Sequence, residues 1–359
     1  MVTLAGEPGS TEQALRQAAV NAHEILWRDF VDPRTSQLYT YLEPRTRRPK
    51  LPSPADIAAR RPNISGWGTA IENCALDGGA YLTALVDRHA VSGSREHAAE
   101  ARRIYQGLRL IAAAARRRGF IPRGVLPDGK THYPESSVDQ YTKYVHGLWR
   151  YYRSPIPTDS EKAEIRGIVA AMLARLEADR FAILSDTGER MTFGALDALR
   201  PSRAERLLAI VLAGADVTGD PHWRAVYERL RPPRLAHCRG KGGEPWVLVQ
   251  NQLALFLLRH LEEDPKVRSV YEAGSHEVAR ACLVSWDLSR KMLASRRSNQ
   301  LAGAFAIVLT EDKALIAQHL DKIRASVLAL DATSLSIGQF RTTECIVWSL
   351  ARQGIVSAQ

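Results

Sequence analysis

The sequence is short of cysteine, and the four it has never pair. Cys74, Cys238, Cys282 and Cys345 stand far apart with no CxxC spacing, which argues against a disulfide framework and against most zinc sites. A reducing compartment is expected, with no metal and no other cofactor. His237-Cys238 alone does not supply a ligand set. Long apolar runs are also missing: none approaches the roughly 20 residues that a membrane span needs. The opening MVTLAGEPGSTEQ has neither a basic n-region nor an apolar h-region. The expectation is a cytoplasmic chain with no membrane contact. Period-two alternation is confined to short pieces near Phe181 to Leu184 and Met191 to Phe193, so little strand is expected. Gly240-Lys241-Gly242-Gly243 lacks the glycine spacing and the Ser or Thr of a P-loop, and no dinucleotide fingerprint or G-x-S-x-G elbow occurs.

The chain has 359 residues, 45% of them hydrophobic, enough for a large core. Its formal charge is +10, which would suit an anionic partner if the cations clustered. They do not. Of the 49 basic residues 40 are arginine, most at helical spacing among Glu and Asp, and only Arg116 to Arg118 forms a tight run. No basic stretch is interleaved with aromatics, so nucleic acid is not expected as a partner.

Helix signals fill the rest. Apolar positions at three- and four-residue intervals predict helices over 12–30, 69–89, 104–118, 161–179, 204–217, 221–230, 246–261, 265–289, 300–309, 313–330 and 344–353, with another opening at Ser137. Ser137 and Gln140, Thr158 and Glu161, and Ser202 and Glu205 have the spacing of capping boxes. Residues 31–65, with six prolines, predict a long loop over the body. Val91-Ser92-Gly93-Ser94 is echoed by Val217-Thr218-Gly219-Asp220, as in a repeat of helical hairpins. No solenoid consensus recurs at ~34 to 47 residues. The fold class expected is all-α, an (α/α)6 toroid of about six helical hairpins, forming a single domain over 1–359.

One stretch is densest in turn residues, acids and aromatics. From Gly119 to Pro134 prolines and glycines block regular helix. A helix then opens at Ser136-Ser137-Val138-Asp139-Gln140-Tyr141, with an apolar stripe of Tyr141, Val145, Leu148 and Tyr152 and a polar one of Asp139, Thr142 and His146.

That opening, with Glu72-Asn73 and Asp77-Gly78-Gly79 in an earlier hairpin, resembles the six-hairpin glycosidase-like superfamily of (α/α)6 toroids. Its most local likeness is to the unsaturated glucuronyl hydrolases, where an inner helix opens on a catalytic aspartate. The resemblance implies a carbohydrate-active enzyme, a glycoside hydrolase whose substrates include unsaturated uronyl sugars, working by carboxylate acid/base chemistry. Asp139 is the first candidate, with Asp77 or Glu72 as partner. Five positions apart on one helix, those two would point roughly 140° apart, so only one is expected to face the cavity. If Asp139 is the acid, burial or a neighbouring carboxylate should raise its pKa. Trp67, Arg123, Asp128, His132, Tyr133, His146, Trp149 and Trp246 are the candidate substrate contacts, on a small saccharide or oligosaccharide, anionic ones included. Two rival readings are a polysaccharide lyase on a similar toroid, using Arg123, His132, Tyr133 and His146, and a non-catalytic helical scaffold.

Overall fold

The computed structural model describes residues 8–239, 243–288 and 293–357. The Gly240-Lys241-Gly242 stretch lies outside them. Among the described residues thirteen helices follow in order: α1 (Pro8–Ile25), α2 (Pro54–Ala58), α3 (Cys74–Ser92), α4 (Arg95–Ala114), α5 (Val138–Arg153), α6 (Asp159–Ala178), α7 (Ala204–Thr218), α8 (Pro221–Leu235), α9 (Pro245–Leu261), α10 (Pro265–Leu288), α11 (Leu293–Val308), α12 (Lys313–Leu328) and α13 (Gly338–Arg352). A π-helical turn, Leu26–Phe30, extends α1. Among the described residues β structure amounts to four isolated bridges.

The helices form two layers. α3 packs on α5, α5 on α7, α7 on α9, α9 on α11 and α11 on α13, and α13 returns to α3, closing an inner ring. α4, α6, α8, α10, α12 and α1 lie outside it, α1 against α13, so that the first helix completes the last hairpin. This is the (α/α)6 toroid. Composition decides the layer. Helix α3 buries every residue from Cys74 to Asp87, because Ala, Gly and Leu around its circumference leave no wet face. Helix α4 instead buries one stripe containing Ile104, Tyr105, Leu108 and Ile111, the spacing of an outer amphipathic helix. Gly79 of α3 and Gly147 of α5 let two inner backbones touch: a Cβ on Gly79 would stand 2.3 Å from the carbonyl oxygen of Lys143, and one on Gly147 2.2 Å from that of Gly79.

Several boundaries move. α3 begins at Cys74, behind a turn over 69–73, while α4 begins at Arg95 because the Ser94 side chain accepts from Glu96 N–H. The Thr158 and Glu161 box forms as expected. The other two form by halves. Ser137 accepts from Gln140 N–H, but the Gln140 side chain turns to the next helix and accepts from Leu76 N–H at 2.9 Å. Glu205 accepts from Ser202 N–H at 2.8 Å, with no side-chain cap returned by Ser202. Residues 31–65 run as a loop carrying only α2, pinned at Tyr41 by a bridge to Ser336.

Candidate functional site

All inner helices begin at the same end of the ring, and there a cavity of about 390 Å³ opens. First turns of α3, α5, α9 and α13 reach it, together with loop residues Tyr41, Trp67, Glu72, Arg123 and Phe193. Their positive dipole ends converge on this mouth. An anionic ligand or a negatively charged side chain is stabilised there.

Three carboxylates line the cavity. Asp77, in the first turn of α3, is buried and ion-pairs with Arg341 of α13, and Thr40 Oγ1 donates to it at 3.2 Å. Asp139, in the first turn of α5, ion-pairs with Arg206 of α7, a fully buried arginine whose remaining donors meet Asn251 Oδ1 at 3.0 Å and the Val247 carbonyl at 3.2 Å. Burial pushes the Asp139 carboxyl up, but the charges of Arg206, Arg203 and Lys143 outweigh it and hold the group below the ordinary carboxylate range. The raised value expected of a catalytic acid is therefore not found; Asp139 is ionised. Glu72 accepts from Gly68 N–H at 2.6 Å and from the Asn73 amide at 3.0 Å, and the Arg123 guanidinium is near enough to feel its charge. Both Glu72 and Asp77 face the cavity. The 140° separation fails because Glu72 precedes the helix instead of lying on it.

The cations were less legible. Arg123 is buried and donates to the carbonyls of Glu72 (3.3 Å) and Ser136 (3.5 Å) and to Asn73 Oδ1 (3.4 Å), which ties the central loop to the start of α3. Lys143, one turn below Asp139, lines the cavity at 6% exposure. Among the described residues no carboxylate pairs with it. Burial pushes its pKa down, the Asp139 carboxylate partly restores it, and the result is about 8. Gln250 of α9 also faces the cavity, buried, with an Oε1 that no protein group meets.

Aromatic rings form the rim. Trp67 is 43% exposed and Trp246 52%, too open for core packing. Trp67 meets Phe193 edge-on with ring centres 5.1 Å apart. Its exposure is built in by Gly66 and Gly68, at φ of +71° and +81°, where a Cβ on Gly66 would sit 2.4 Å from the Tyr133 ring. Tyr133 is therefore a buttress beneath the Trp67 turn, its hydroxyl donating to the Arg61 carbonyl. It is not a cavity residue.

Four other expected contacts also lie outside the cavity. Asp128 closes an exposed turn, accepting from Lys130 and Thr131 N–H at 2.9 and 2.8 Å. His132 pairs with Asp186 at 3.0 Å in a separate surface hollow beside Arg116. His146 shares a face with Asp139 but lies two turns along, about 10 Å deeper. There it is buried on Thr83 and Phe256, and burial holds its pKa far below the usual value. Trp149 is further on, donating to Asp216 at 2.8 Å. Among the described residues no cluster of His, Cys, Asp and Glu fits a metal ion, and no helix is long and apolar enough to cross a membrane.

Ring and mouth together define the class: an (α/α)6 toroid with a polar cavity at the inner-helix N-termini. Among solved structures the chain is similar to the cellobiose 2-epimerase from Spirochaeta thermophila DSM 6192, with a TM-score of 0.53 and 13% identity over 97% of this chain and 100% of that one. At such identity the likeness is one of fold. It agrees with the toroid fold and does not single out the unsaturated glucuronyl hydrolases. No family model and no curated protein matches the sequence.

Proposed function

We propose that this chain is a carbohydrate-active enzyme, a glycoside hydrolase in which Asp139 takes a proton from the attacking water. The observation that carries the reading is the meeting, in one cavity, of ionised Asp139 with the open Trp67 and Trp246 rings. Aromatic faces suit the C–H surface of a pyranose. A toroid neighbour that is a cellobiose epimerase is consistent with a saccharide ligand. Arg123, Lys143 and the helix N-termini favour saccharides that carry a carboxylate, unsaturated uronyl sugars among them. The lyase reading is less well supported, because His132, Tyr133 and His146, its candidate bases, lie away from the cavity. A scaffold reading gains nothing from the surface, where Trp67, Phe193 and Trp246 crowd the cavity rim while the other large exposed apolar residues are scattered.

The test is turnover of a panel of neutral and uronyl-terminated oligosaccharides, with products resolved by mass. Asp139→Asn should lower turnover by about 10² to 10⁴. Arg206 keeps its Asn251 and Val247 acceptors, so the variant should lose only about 1 to 3 kcal/mol of stability. An Asp139→Asn protein with full turnover would overturn the assignment.

A further inference from the structure

Hydrolysis with Asp139 as base needs a second group that protonates the departing oxygen. Asp77 is committed to Arg341 and Thr40, and Asp139 to Arg206. Among the described residues Lys143 has no hydrogen-bond or ion-pair partner, and the charge of Asp139 one turn away acts on it. We propose that Lys143, not a carboxylic acid, delivers the proton to the leaving oxygen and recovers one afterwards. This rests on the hydrolase reading above.

The geometry is specific. Lys143 lies four residues beyond Asp139 on the cavity face of α5, about 6 Å deeper, at the point where Gly79 and Gly147 bring α3 and α5 into backbone contact. That contact fixes the stem of the lysine against the inner ring and leaves the cavity as the outlet for its amine. The charged and titratable groups around the same space are Asp139 on α5, Asp77 on α3, Arg206 on α7, Arg341 and Cys345 on α13, and Tyr41, Glu72 and Arg123 from the loops, with burial pushing the Tyr41 phenol up to about 12. Burial is the largest influence on Lys143 and disfavours its ammonium, which makes it a better proton donor than an exposed lysine. Cys345, whose thiol burial pushes up to about 12, stays neutral.

The step balances. The ammonium gives one proton to the glycosidic oxygen as the bond from that oxygen to the anomeric carbon breaks, and the leaving sugar departs as an alcohol. Water adds to the anomeric carbon and loses a proton to Asp139. Asp139 releases that proton, Lys143 takes one up, and the net change is one glycoside and one water consumed.

Two measurements test this. The chain has only nine lysines, so competitive acetylation with peptide mapping between pH 6 and 11 can titrate each. Lys143 should react as a group near 8, well apart from the exposed lysines. In parallel, kcat/KM of the wild type should fall on the alkaline side near 8. Lys143→Arg, which keeps the charge but cannot titrate there, should lose about 10² to 10⁴ in kcat with little change in KM, whereas Glu72→Gln should retain the alkaline limb. Lys143→Arg with wild-type kcat would mean that the residue merely anchors an anion, and would overturn the proposal, as would Glu72→Gln abolishing the limb. Ordinary titration of Lys143 in an active enzyme would overturn it alone. Absence of turnover on every saccharide would overturn the hydrolase reading and this assignment together.

Discussion

An ammonium buried without an ion-pair partner costs stability. Lys143 has a folded pKa of about 8 against an ordinary 10.5, so the cost is full below pH 8 and fades as pH rises to 10.5 and the lysine in the unfolded chain also loses its proton. Lys143→Met should therefore stabilise the protein by on the order of 3 kcal/mol at pH 7, with the gain gone by pH 11. Urea unfolding at the two pH values checks this. A variant less stable than wild type at pH 7 would mean that the ammonium has found a partner. The sequence only half revealed this residue. The polar stripe of the helix was legible as Asp139, Thr142 and His146, yet on a 100° wheel Lys143 lies 40° from Asp139 and Thr142 lies 60° away on the other side. Thr142 turns back to the Val138 carbonyl at 2.7 Å, and the cavity takes the lysine. The ionised state of Asp139 was not legible at all, because Arg206 reaches it from 67 positions away.

At the level of elements, α3 and α5 carry the site and depend on two glycines. Gly79→Ala would place a methyl 2.3 Å from the Lys143 carbonyl oxygen, backbone that cannot give without separating the helices. We expect a loss of about 1 to 3 kcal/mol, and a fall in kcat larger than the change in KM as Asp77 and Asp139 shift. Gly93→Ala is the control, for although its φ is +64°, nothing lies within 4 Å of the added methyl. Equal kinetic effects from both would remove the packing explanation. The toroid was legible because helices of two compositions alternate, one kind apolar all round and the other striped. Boundaries were less so, since Gln140 caps α3 in place of its own helix, a choice that depends on which helix lies beside it. Glu72 was misjudged for the same reason: whether it lies on α3 or before it is decided by the turn over 69–73.

Across the whole molecule, the ring is joined by its first and last helices, and His23 is at the join. Its ring contacts Glu100 of α4 at 2.9 Å, Tyr81 of α3 at 2.7 Å and Glu344 of α13 at 3.5 Å, with Arg88 nearby. Burial opposes the charged form, but Glu100 and Glu344 prevail and raise the pKa from 6.5 to about 9. A raised pKa stabilises the fold fully below 6.5 and loses that contribution as pH climbs through 9. In the Lys143→Met background, which removes the opposing slope over an overlapping window, stability should fall by about 3 kcal/mol between pH 6 and 10. His23→Gln should flatten the curve; an unchanged slope would place the titration elsewhere. Ring closure also bears on how the site comes into being. Asp77 and its arginine stand 264 positions apart, so the cavity floor joins the start of α3 to the start of α13, synthesised much later. While the ribosome is still making α13, Asp77 lacks its partner and the cavity one wall. Only a chain that extends through α13 can have a closed cavity, and a product cut short before residue 338 would hold the other twelve described helices without the arginine that pairs with Asp77.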